Sequence, residues 1–159
     1  MREAVRRLYR RGFRQFYSGG ALGFDLLAAE EVLLLRENLR DLRLVFALPC
    51  GDQTGNWPEK EIIRQRQLIL LADETRVLSP QYYPGCMMVR NRYMVDHAAY
   101  CVCYLKRMRG GTMSTVAYAL RQDVPVMNLA MLGHNPAKRS RSEEDSLTPT
   151  ADSAAADCL

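Results

Sequence analysis

Ser18-Gly19-Gly20-Ala21-Leu22-Gly23-Phe24-Asp25 joins a short aromatic strand candidate, Phe16-Tyr17, to a long apolar helix candidate, and its reading decides the fold. Three glycines within five positions let the backbone turn tightly and approach a ligand. The helix they open would aim unpaired N–H groups and the positive end of its dipole at an anion, so the stretch reads as a phosphate-binding strand-to-helix turn. Glycines at such a turn also serve close packing of helix on sheet, and the rest of the chain must choose between the two.

Downstream, residues 25–39 form an almost continuously apolar helix that should be well buried. Residues 42–48 make a strand ending at Pro49-Cys50-Gly51, and Pro58 opens a helix with Glu59 and Glu61 in its first turn that runs to about residue 71. A strand at 74–78, a helix at 87–97, a strand at 99–105, a basic glycine loop at 106–111, a helix at 112–122 and a strand at 124–129 follow. Upstream, residues 2–11 pattern as a basic amphipathic helix stopped by Gly12, a solvated surface helix more readily than a nucleic-acid contact, and residues 14–17 enter the glycine turn. Repeated alternation of strand and helix implies right-handed crossovers and a Rossmann-like α/β domain: a parallel sheet of about five strands with helices on both faces. Residues 133–159 carry too few large apolar side chains to offset chain entropy and read as a disordered tail, leaving 1–132 as the folded domain.

The chain has 159 residues, 48% hydrophobic and 25% charged, which suits one globular domain. No apolar run is long enough to span a bilayer, and no secretory leader pattern opens the sequence, so membrane partners are not expected and the cytoplasm is the default location. The five cysteines, Cys50, Cys86, Cys101, Cys103 and Cys158, are odd in number and lack CxxC spacing, which suggests neither a disulfide framework nor a metal site. Of the net charge of +4, the last 27 residues contribute −2, so the domain is the basic part and an anionic ligand suits it.

Ligands of an open parallel sheet bind outside the carboxyl ends of its strands. Two of the loops at that edge carry paired glycines before helices: Ser18-Gly19-Gly20, and Gly110-Gly111-Thr112 preceded by Arg107 and Arg109. Arg90-Asn91-Arg92 lies on the intervening helix, where both arginines are expected to reach phosphate by charge-assisted bonds and Asn91 to add a directional amide. The candidate binding residues are Ser18, Gly19, Gly20, Gly23, Asp25, Arg90, Asn91, Arg92, Gly110, Gly111, Thr112 and Thr115.

In order and spacing, the run from Ser18 to Glu30, then Ala47-Leu48-Pro49-Cys50, Pro84-Gly85-Cys86-Met87, Arg90 to Asp96, and Gly110-Gly111-Thr112-Met113-Ser114-Thr115 with Ala119, resemble the YpsA-like family of the SLOG superfamily over about residues 4–130. The motifs are more distantly similar to those of DNA-processing protein A and of LOG phosphoribohydrolases. The resemblance implies a Rossmann-like domain that binds nucleotides, nucleotide-derived ligands or nucleic acid. LOG hydrolases carry a glutamate just after the glycine pair; this chain has Met113-Ser114-Thr115-Val116 there. Arg90 matches the hydrolase arginine, yet without that acid no general acid or base is evident.

Family members also open with a strand and a Thr-Gly-His-Arg turn, whereas this chain begins at the helix that follows. The missing strand would be central, so the expectation is either that the chain is a truncated or mis-started version or that another segment or subunit fills the gap, with a dimer or poor stability following from an open centre. The leading expectation is non-catalytic binding or sensing of a nucleotide or ADP-ribose-like ligand through two glycine loops. Cleavage of nucleoside monophosphates of the LOG type and single-stranded DNA binding, to which Arg90-Asn91-Arg92 and the basic first helix would contribute, are the rival readings.

Overall fold

The computed structural model describes residues 1–131 and the backbone of residues 156–158. In chain order the elements are α1 (Arg2–Arg10), β1 (Gln15–Ser18), α2 (Phe24–Arg36), β2 (Arg43–Leu48), α3 (Glu59–Leu71), β3 (Glu74–Val77), α4 (Cys86–Asp96), β4 (Tyr100–Cys103), α5 (Gly111–Arg121), β5 (Val126–Asn128) and β6 (Ala156–Cys158). The six strands form one sheet in the order β3-β2-β1-β6-β4-β5, and every pairing is parallel. The five strands expected from the sequence are therefore present as a parallel α/β sheet, with a sixth added.

Helices cover both faces, as strand alternation demands. Phe16, Leu44, Phe46, Leu48 and Val102 turn to one face and pack with Val5, Leu8, Leu26, Val32 and Leu68 of α1, α2 and α3. Their neighbours Tyr17, Val45, Ala47 and Cys101 turn to the other and pack with Met94, Val95 and Ala119 of α4 and α5. β2 shows why: after exposed Arg43 its five residues are all buried, the continuous apolar run of a strand enclosed on both sides. Burying a side chain such as Phe46 contributes about 1.5–3 kcal/mol.

Two differences from the sequence reading bear on function. The first is α2, where Leu27 and Leu34 are half-exposed while Leu26, Ala28, Ala29, Val32 and Leu35 are buried. Only the stripe facing the sheet and its flanking helices is enclosed. The second is β6, which falls within the stretch read as a tail. Residues 156–158 pair with β1 through Gln15↔Ala156, Phe16↔Asp157 and Tyr17↔Cys158, and with β4 through Tyr100↔Asp157 and Cys101↔Cys158. They occupy the middle of the sheet, the position where the sequence comparison left a strand to be supplied. The remainder of the expected tail, residues 133–155 and 159, lies outside the described residues, as does residue 132. Among the described residues, no helix is long and apolar enough to cross a membrane.

Candidate functional site at the strand switch point

From β1 the chain steps outward to β2 and β3, then crosses the sheet to β4 and steps outward again to β5. The reversal leaves a crevice between the carboxyl ends of β1 and β4, the switch point at which parallel sheets hold ligands. A cavity of about 400 Å³ lies there, lined by Phe24 and Asp25 of α2, Arg90 and Asn91 of α4, Cys103 and Tyr104 at the end of β4, and Gly111, Thr112 and Thr115 of α5. A larger groove of about 710 Å³ runs along α2 and α3, and half of its lining residues are leucines. Its rim charges Glu30, Glu31 and Arg36 are already paired with Arg64, Arg2 and Asp73. Convergent polar groups are what distinguish a ligand site, and they mark the switch-point cavity.

The first glycine turn is wired internally. Ser18 is fully buried; its Oγ donates to the Asp25 carbonyl at 3.0 Å and accepts the Gly20 N–H at 3.2 Å. The Asp25 carboxylate folds back under the turn, where it accepts the Ala21 N–H at 3.3 Å and is also bonded by the Gly19 N–H. The anion seat that the glycines make is thus taken by the chain's own carboxylate. The carbonyl groups are engaged too: Gly20 accepts from Gln65 at 2.8 Å, and Gly19 from the Arg90 guanidinium. Gly19 has no Cβ because Arg90 needs the space; a methyl there would overlap the guanidinium and lie 2.7 Å from Asp25 Oδ2. Gly20, at φ +63°, presses against Leu48 and Phe46 of β2.

The second glycine loop is open. Gly110 adopts φ +85°, a left-handed conformation that favours glycine, and its carbonyl accepts the first helical bond of α5 from Ser114 N–H at 3.1 Å. The N–H groups of residues 111–113 precede that first bond and have no partner within the helix, and they stand at the positive end of its dipole.

Arg90 connects the two loops. It is 5% exposed, with one η nitrogen bonded to Gly19 O and 3.8 Å from Asp25 Oδ2, and its Nε donates to Asn91 Oδ1 at 2.7 Å. Asn91 Nδ2 donates to Thr115 Oγ1 at 2.8 Å, and Thr115 Oγ1 donates to the Gly111 carbonyl at 2.9 Å. A continuous polar chain therefore runs from α2 through α4 to the first turn of α5. Burial pushes the Asp25 carboxyl up from the ordinary carboxylate range, while the Arg90 guanidinium and the two backbone N–H groups pull it down.

Of the twelve residues expected at the site, Asp25, Arg90, Asn91, Gly111, Thr112 and Thr115 line the cavity. Ser18, Gly19, Gly20, Gly23 and Gly110 do not line it; Ser18 ends β1, and the glycines lie in the turns that precede α2 and α5. Arg92 is turned elsewhere: its guanidinium lies over the Tyr118 ring, 5.6 Å from the centroid, in an outer cleft between α4 and α5. Two residues along a helix are about 200° apart, so Arg90 and Arg92 do not share a face. Sequence reasoning missed an aromatic pair. Phe24 and Tyr104 line the cavity with rings inclined by 19° and centroids 6.3 Å apart, and Lys106 Nζ lies 5.2 Å from the Tyr104 centroid. Their positions were the available signal, since one opens α2 and the other immediately follows β4.

Sheet order defines the chain as a parallel α/β domain with a crevice at its strand switch point. More narrowly, it belongs to the YpsA family, described as the YspA SLOG family, whose model matches residues 1–130. The chain is 26% identical over 117 residues to the uncharacterized SPbeta prophage-derived protein YoqJ of Bacillus subtilis, covering 66% of this chain and 68% of that one. It is 27% identical over 85 residues to a UPF0398 protein of Staphylococcus epidermidis, covering 52% of this chain and 45% of that one. It is also similar to a UPF0398 protein of Bacillus licheniformis, 24% identical over 131 residues, with 78% and 72% covered. The chain thus spans less than half the length of the Staphylococcus relative.

Proposed function

We propose that the protein binds a nucleotide or ADP-ribose-like ligand at the switch point and senses it without chemical turnover. The first turn of α5 receives a phosphate through the N–H groups of residues 111–113 and the Thr112 hydroxyl, with Arg90 supplying positive charge at the cavity wall. The base lies against Phe24 and Tyr104, beneath the Lys106 ammonium. The observation that carries this reading is the convergence of an open helix N-terminus, a buried arginine and an aromatic pair on one cavity of about 400 Å³, a volume that suits a small nucleotide. Two features support binding without turnover. The Asp25 carboxylate is occupied by backbone N–H groups and Arg90, and Thr112 to Val116 bring no acid.

A thermal-shift panel of adenosine, AMP, ADP and ADP-ribose tests the proposal. The phosphorylated ligands raise the midpoint, adenosine raises it less, and Arg90→Met removes the difference. Chromatography of AMP incubated with the protein shows no free base. If no phosphorylated ligand shifts the midpoint, the proposal fails.

A further inference from the structure

The outer strand β3 carries a charge pattern that complements itself, and it stands apart from the ligand site. Its four residues, Glu74-Thr75-Arg76-Val77, alternate half-buried and exposed, whereas the opposite outer strand β5 is half-buried throughout. Among the described strands, β3 pairs with β2 alone. The Leu78 N–H donates to the Leu48 carbonyl at 2.9 Å, where Leu48 stands opposite Val77. Successive residues of a strand turn their backbone groups alternately to one side and the other, so Glu74 and Arg76 bond to β2 while the N–H and carbonyl groups of Thr75 and Val77 point to the open edge. Such an edge is a template for a further strand.

Side chains decide which strand fits. Glu74 and Arg76 share one face of the sheet and are bonded to each other, and Arg76 also donates to the Tyr93 hydroxyl. Two copies related by a two-fold axis would pair antiparallel, with Thr75 or Val77 of one set against Thr75 or Val77 of the other. Thr75 against Val77 places Arg76 against Arg76, a repulsive pair. Val77 against Val77 overlaps the strands only at their ends. Thr75 against Thr75 places Glu74 of each copy opposite Arg76 of its partner, with hydroxyl facing hydroxyl on the axis, and both kinds of pair are favourable. In that register Val77 stands opposite Asp73, whose carboxylate already holds Arg36 and the Leu44 N–H and so adds no unpaired charge. Apolar surface accompanies the edge. Ile63 and Leu70, two turns apart on α3, are 49% and 83% exposed on the side away from α2, which α3 meets through the Arg64 bond to Glu30.

We propose that β3 is the contact edge of a homodimer, in which two copies join their sheets antiparallel about a two-fold axis at Thr75 and Glu74 of each pairs with Arg76 of the other. Backbone pairing supplies affinity, the crossed charges fix the register, and the two α3 helices flank the seam, covering Ile63, Leu70 and Val77.

Sedimentation velocity of the full chain over a concentration series measures the dimer, and two charge variants test the register. Glu74→Arg makes both cross-axis pairs arginine against arginine; Arg76→Glu makes both glutamate against glutamate. Each variant alone dimerises at least about tenfold more weakly, a change of one decade in Kd. Mixed in equal amounts, the two form a heterodimer whose cross-axis pairs are opposite in sign again, with an affinity near that of the unchanged chain. Loss of the contact between Glu74 and Arg76 within one chain would not be repaired by mixing. Should either variant fail to fold, Thr75→Pro carries the test: it removes an N–H that points to the open edge, spares the bonds to β2 and abolishes the dimer. A chain that stays monomeric throughout the series, a dimer unchanged by the charge variants or by Thr75→Pro, or a mixture no more associated than its parts overturns the proposal.

Discussion

Gly19 and Arg90 are the residues on which the site turns. Arg90 reaches the switch-point cavity because residue 19 has no side chain, and the guanidinium holds Gly19 O, Asn91 and Asp25 together. Gly19→Ala forces a methyl into that volume. It is expected to destabilise the protein by about 1–3 kcal/mol, the usual penalty of overpacking, and to abolish ligand-induced stabilisation. Chemical denaturation and a ligand thermal shift check the two parts; an alanine variant with unchanged ligand response contradicts them. Thr115→Val is a milder probe. It breaks the hydrogen bond to Asn91 at little change in volume, costing about 1–3 kcal/mol if Asn91 Nδ2 is left unpaired. Its ligand affinity should fall while the fold, read by circular dichroism, is retained.

The elements were legible to different degrees, for physical reasons. β2 and the helices that follow it carry continuous apolar runs or capping signals, and their observed limits lie within a residue or so of the sequence reading. Paired glycines marked two loops that lie at the carboxyl edge of the sheet but not which was open, because that depends on Asp25 folding back onto Gly19 and Ala21, a contact without sequence periodicity. The separation of Arg90 from Arg92 was readable from helical spacing alone. β6 was not readable, since Ala-Asp-Cys has neither alternation nor β-branched residues. One element boundary yields a further prediction. Asn128 at the end of β5 accepts from Leu105 N–H and donates to Leu105 O, both at 2.9 Å, and so clasps the loop that follows β4. Asn128→Ala should cost about 1–3 kcal/mol and speed hydrogen exchange selectively at residues 104–109. Uniform exchange rates across the molecule would show that the clasp has no local role.

At the scale of the whole molecule, buried protonated groups make stability depend on alkaline pH. Burial raises the Cys50 and Cys103 thiols from 9.0 to about 11, and pushes the Tyr17 hydroxyl up from 10.0. Between pH 9 and 11 the unfolded chain releases thiol protons that the native state retains. Their contribution is fully present below pH 9 and is lost as pH rises through about 11, so the unfolding free energy should fall across that window. Denaturant titrations at pH 8, 9.5 and 10.5 check the direction, and a flat profile contradicts it. Cys103 lines the switch-point cavity, and its protonated thiol should react slowly with disulfide reagents at pH 8.

The central claim is that the anion seat lies at the first turn of α5 and not at the first glycine turn, whose seat Asp25 already fills. Amide chemical-shift mapping of the full chain during titration with ADP separates the two. The account predicts that the largest shifts fall on residues 111–113, with Thr115 and the Arg90 side chain following and residues 19–21 moving little. Dominant shifts at 19–21, or none at α5, would contradict it.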